Sequence, residues 1–188
     1  MAVRKEYIED LEKLKGDVQR MGELSKESAK NAIKSLVQRD TELASTILKE
    51  NAVIDELEFD IENRCMKLIA LQQPMAVDLR TIGTCMKVIT DFDRISDLAG
   101  DIAEIVIRIA DEPLAKPLID IPRMSEISQG MIADCLTAFS SGDIKILEDF
   151  SERDDVIDAL FDQVRRELMM IMIENPKCIA NASHLLFV

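Results

Sequence analysis

The chain has 188 residues, with 36 Asp and Glu against 23 Lys and Arg, a net charge of −13 and only 4% aromatic residues. That length can bury a real core as one good-sized domain or two small ones, and a composition rich in Leu, Ile, Met, Ala and Glu, with 6 Gly and 5 Pro, is that of a helical bundle. The acidity argues against nucleic acid or an anionic membrane surface as the main partner, because phosphate-backbone binding needs clustered Lys and Arg; cations or basic protein surfaces suit it better.

In chain order, the opening "MAVRKEYIEDLEKLKGD" is charged from its fourth residue and lacks the basic-then-apolar pattern of a leader. A first helix is predicted from about Tyr7 to Gln38. Asp40 starts a second, which ends near Gln72 before Pro74. A third begins between Met75 and Asp78, with Asp78 as its N-cap, and runs to about Asp111. Pro113, Pro117 and Pro122 then crowd into "DEPLAKPLIDIPR", which reads as an extended connector over 112–122. Further helices are predicted over 123–141, over 143–174 after a break at Gly142, and from 178 onward. No period-2 strand pattern competes.

The two halves are copies. Shifted by 103 residues, Met21 meets Met124, Glu23 meets Glu126, Ser25 meets Ser128, Asp40 meets Asp143, and "VIDEL" (53–57) lies on "VIDAL" (156–160). Nine of the fifty aligned positions in 21–70 are identical, which marks an internal duplication. The expected fold is therefore all-α: two tandem up-down-up three-helix bundles, residues 1–111 and 123–188, joined by the connector. "ASHLLFV" stops inside an apolar helical pattern with no cap. The last helix is thus expected to be incomplete, ending before any counterpart of Asp93, and its apolar end leaves room for a homodimer.

The longest apolar run, "LMMIMI" at 168–173, is too short to span a bilayer, so no membrane insertion is expected. Cys65, Cys85, Cys135 and Cys178 lack C-x-x-C spacing and sit among apolar residues, as buried reduced thiols of a cytoplasmic protein would.

The chemistry concentrates in "ITDFDRISDLAGDIAEI" (89–105). On a helix turning about 100° per residue, Asp93, Asp97, Asp101 and Glu104 share a sector of about 80°. Ile95, Leu98, Ile102, Val106 and Ile109 are expected on the opposite, core side. Upstream the acidic sector is apolar, carrying Leu79, Ile82, Met86 and Ile89. Like charges repeated at i, i+4 repel, and Asp is a poor helix former; such local cost often marks function. All-oxygen donors suit magnesium, calcium, manganese or iron. On the middle helix of the first copy Asp55, Glu58 and Glu62 share a face. In the second copy Phe161 and Arg165 replace Glu58 and Glu62, while Asp158 and Asp162 form a new D-x-x-x-D. A simply solvated acidic face stays open as the alternative.

"QQPMAVDLRTIGTCMKVITDFDRISDLAGDIAEI" (72–105) resembles the signature of the PhoU family of phosphate-uptake regulators: a Q-P-x-A-x-D-L-R entry followed by an acidic L-E-R-I-G-D-type motif. "RDDVIDALFDQV" (153–164) and the turn at Asn175 and Pro176 resemble its second repeat. The resemblance implies metal clusters (iron, zinc, magnesium or manganese) held by E/D-x-x-x-D motifs, here Asp93 with Asp97 and Asp158 with Asp162. It also implies a negative regulator contacting a phosphate ABC transporter ATPase and a sensor histidine kinase. Asp93 stands where that pattern has Glu, Ser96 where it has Gly, and Asp101 where Asn is common. Of the rival readings, a carboxylate-bridged di-iron enzyme needs paired E-x-x-H motifs, and the one histidine, His184, follows Asn181 by three. With no Gly-rich phosphate loop and no Cys/His or Ser/His constellation, a non-enzymatic protein is expected; a metal-free adaptor bundle is the remaining alternative.

Overall fold

The computed structural model describes residues 2–188, with side chains from Lys5 onward. Its elements are α1 (Ala2–Gln38), α2 (Thr41–Gln72), α3 (Val77–Ile109), α4 (Asp120–Ser141), α5 (Phe150–Glu174) and α6 (Ile179–Leu185), with 3₁₀ turns at Ile144–Leu147 and Pro176–Cys178. No strand occurs among the described residues.

The three long helices are seamed at a 3.5-residue period. In α1 the buried stripe runs through Leu11, Leu14, Val18, Met21, Ser25, Ser28, Ala32 and Ser35, with Gly22 and Leu36 buried beside it; in α3 it runs through Ile82, Cys85, Ile89, Phe92, Ser96, Ala99, Ala103 and Val106, with Gly100, Ile105 and Ile109 buried beside it. Alternating steps of three and four keep one stripe facing the neighbours if the helices supercoil gently to the left. The corresponding stripe of α2 holds Ala44, Ile47, Ile54, Ile61, Cys65 and Leu68, with half-buried Asn51 and Glu58 in its two remaining positions. Each large apolar side chain withdrawn fully from water contributes about 1.5–3 kcal/mol. The second half of the α1 seam is built of small residues, and its serines turn their hydroxyls back on the helix: Ser25 Oγ donates to the Met21 carbonyl at 2.9 Å and Ser35 Oγ to that of Ala32 at 2.8 Å.

The duplication is visible in the turns. Arg39 (φ 57°) and Gly142 (φ 74°) both adopt the left-handed conformation after the first helix of their copy. The next residue then caps: the Asp40 carboxylate accepts from the Glu42 and Leu43 N–H groups, and that of Asp143 from Lys145 N–H.

The copies pack through their first helices. A Cβ built on Gly22 of α1 would lie 2.4 Å from Leu136 Cδ2 of α4 and 2.7 Å from Phe92 Cζ of α3, so this glycine permits three helices to meet. Leu136 is thereby part of the first copy's core. At the other end Ala182 and Leu185 of α6 and Val164 and Leu168 of α5 join Leu36, Val106 and Ile109 in one cluster. There Asn181 Oδ1 accepts from Ala115 N–H at 2.9 Å, and the Arg39 guanidinium donates to the carbonyls of Ala110 and Glu112 beyond the α3 C-terminus.

Several local expectations are corrected. Asp78 is not an N-cap: Ala76 holds that position at φ 45°, with no side-chain cap, because Pro74 and the left-handed Gln73 bring the chain into α3 through a tight turn. Pro122 lies in the first turn of α4, where proline's missing N–H costs nothing. The predicted 143–174 helix divides into a 3₁₀ turn and α5, with Asp149 between them in a non-helical conformation. Cys65 and Cys85 are buried, whereas Cys135 and Cys178 are partly exposed.

Candidate metal centre

The core face of α3 runs along Cys85, Phe92, Ala99 and Ala103, about a third of a turn from the acidic stripe, with Val106 and Ile109 also buried and Ile95 and Ile102 half-buried beside it. Small Ser96, Ala99 and Ala103 carry that face, so the bulkier Leu98 and Ile107 point outward, with Leu98 53% exposed. The acidic stripe consequently meets the rim of the seam between α2 and α3 at Asp93, while Asp97, Asp101 and Glu104 stay exposed. Asp93 takes the place on that rim that Met86 occupies one heptad up the helix, and like Met86 it is half-buried.

Across the seam α2 runs antiparallel and presents Asp55 and Glu58. Burial pushes the Asp93 carboxyl up to about 6, and the negative charges of Glu58, Asp97 and Asp55 act in the same direction. Its Oδ1 atom is buried without a hydrogen-bond partner. Four acids from two helices thus converge on one groove without a neutralising Lys or Arg among the groups that act on Asp93. Asp97 and Asp101 follow one and two turns on and are exposed, as are Asp55 and Glu62, while Glu58 is half-buried.

The second copy differs. Asp158 and Asp162 are both exposed on α5, and Asp162 Oδ1 accepts from Arg165 Nη2 at 3.1 Å. The arginine that replaces Glu62 by register therefore supplies a positive charge of its own.

Whether a cation suits the first groove rests on its donors. A desolvated carboxylate with an orphaned oxygen, facing three more carboxylates, is the chemistry that hard cations relieve. As the side chains stand, no group of three or more His, Cys, Asp or Glu among the described residues closes on a single point. The donors fit an ion, and the exposed Asp55 and Asp97 would have to turn inward to complete its shell.

Two seam residues next to the acids were not singled out as site residues from sequence. Ser96 Oγ donates to Asn51 Oδ1 at 2.8 Å, and Asn51 Nδ2 donates to the Ser96 carbonyl at 3.0 Å. Asn51 lies one turn before Asp55, and its place in the 3.5-residue stripe of α2 was the available signal. The two buried cysteines offer no competing site: burial pushes the Cys65 thiol up to about 12 and that of Cys85 to about 11, which leaves both as unreactive thiols.

This architecture has close counterparts. The PhoU domain family matches twice, over residues 18–106 and 121–188. The chain belongs to the PhoU family. A protein of Aquifex aeolicus named phosphate-specific transport system accessory protein PhoU homolog is 41% identical over 181 residues, 96% of this chain and 82% of that protein. One of Clostridium acetobutylicum with the same name is 33% identical over 98% of this chain and 85% of its own length. The crystal structure of PhoU from Pseudomonas aeruginosa superimposes with a TM-score of 0.92 at 25% identity, covering 96% of this chain and 87% of that one. The PhoU relatives carry the names of transport accessory proteins. Among the described residues no helix is long and apolar enough to cross a membrane.

Proposed function

We propose that this PhoU-family chain is a metal-binding regulator of phosphate uptake and phosphate-responsive signalling. It works in the cytoplasm by contacts with a phosphate ABC transporter ATPase and a sensor histidine kinase, and it restrains their output. The observation that carries the reading is the 41% identity, along nearly the whole chain, to a relative named as an accessory protein of phosphate-specific transport. The metal part is supported by the groove, where Asp93 sits desolvated among Asp55, Glu58 and Asp97. These four side chains would hold the ion, which would supply the positive charge that the groove lacks. The acids themselves keep α2 and α3 electrostatically opposed at this level until they are neutralised.

Metal analysis of protein purified without chelator, beside an Asp93→Ala/Asp97→Ala variant, tests the site; full metal content in the variant would refute it. Affinity capture with the transporter ATPase and the histidine kinase of the same organism tests the partners. Capture of either by wild type that contains no metal would instead identify a metal-free adaptor.

A further inference from the structure

We propose that Asn51 and Ser96 form a clamp that sets the register of α2 against α3 and so positions Asp55 and Asp93 for a shared divalent cation. The inference rests on the metal-binding reading above and adds positioning residues to it.

Ser96 is fully buried, and the pair exchanges two hydrogen bonds, one through the Ser96 hydroxyl and one through its backbone carbonyl. The backbone bond matters most, because it ties the α2 side chain to the α3 main chain rather than to another mobile group. Gly100, one turn on from Ser96, makes the insertion possible: a Cβ there would lie 2.6 Å from Asn51 Nδ2. The apolar seam positions above and below attract without direction and leave the axial slip of one helix along the other loosely set. A polar pair at a seam position specifies it. Asn51 precedes Asp55 by one helical turn, and Ser96 lies between Asp93 and Asp97, so the register fixed by the clamp is the register of the acids. Short Asp side chains need such support, since metal sites tolerate only about 0.5 Å of misplacement.

Titration of the metal-free full chain with Mn²⁺, read by calorimetry and by loss of the free Mn²⁺ resonance signal, tests the clamp. Asn51→Ala is expected to weaken Mn²⁺ binding about tenfold, the usual scale for residues that support ligands. Gly100→Ala, which expels Asn51 without touching an acid, is expected to do the same, and the double variant to be no weaker than either single one. Ile82→Val, a core change in α3 far from the acids, is expected to lower thermal stability and leave Mn²⁺ affinity intact. Wild-type affinity in Asn51→Ala, additive losses in the double variant, or an equal loss in Ile82→Val would each overturn the clamp while the metal site stands. Wild-type protein that takes up no Mn²⁺ would overturn the metal-binding reading itself and the clamp with it.

Discussion

Replacing Asp93 by Asn is expected to stabilise the metal-free protein at neutral pH, against the usual direction for a residue at a functional site. The folded carboxyl is raised from the ordinary 3.8 to about 6, so the folded state binds this proton more tightly than the unfolded chain. Its contribution to stability is fully present below about pH 4 and is lost as pH rises to about 6. At pH 7.5 the ionised carboxylate therefore burdens the fold, by about 3 kcal/mol at full strength and about 1–2 kcal/mol after screening on its open flank. An isosteric amide removes that burden. For a chain of this size the gain corresponds to a rise of about 3–6 °C in Tm. Denaturant unfolding of both proteins in chelator, at pH 7.5 and pH 5, supplies the assay; taking the difference between them cancels the titrating groups that are not coupled to Asp93. The advantage of Asp93→Asn should shrink at pH 5, by up to about half. Excess Mn²⁺ at pH 7.5 should reverse it, since ligand that binds only the folded wild type stabilises it by mass action. A variant less stable than wild type at pH 7.5, or an advantage that does not change with pH, would refute the reasoning.

Gly22→Ala should cost about 1–3 kcal/mol by overpacking against Leu136 and Phe92, and adding Leu136→Ala should recover part of the Gly22→Ala loss; urea unfolding of the cycle measures it. Arg39→Ala, which uncouples the α1–α2 turn from the carbonyls of Ala110 and Glu112, should cost about 0.5–1.5 kcal/mol and speed hydrogen exchange at the C-terminal end of α3. Asp158→Asn/Asp162→Asn should leave metal stoichiometry unchanged, because Arg165 already compensates Asp162; metal analysis showing a lost equivalent would place an ion on α5 as well.

The long helices, their limits at Gln38, Gln72 and Ser141, and the 103-residue duplication were legible because each leaves a local trace. Asp before an apolar stripe, Gly in a left-handed position and Pro after a helix act within a few residues of themselves. The acidic stripe was legible for the same reason. Its orientation was legible only in part: Val106 and Ile109 are buried as expected and Ile95 and Ile102 pack at the edge of the core, but Leu98 is exposed while the smaller Ser96, Ala99 and Ala103 are buried. Close helix contact selects for small size, which hydrophobicity does not report.

By itself, then, the sequence determined the all-helical class, the repeat and the acids that could hold a cation, since helix period, capping chemistry and charge are properties of neighbouring residues. Only the tertiary structure decided which acids meet. Asp93 joins Asp55 and Glu58 because α2 returns antiparallel at a register set among distant residues such as Asn51 and Ser96. Asp158 and Asp162, equally acidic as sequence, were left to Arg165 and solvent. A carboxylate becomes part of a site through what lies across the groove from it, and that neighbour is chosen by packing over the whole bundle.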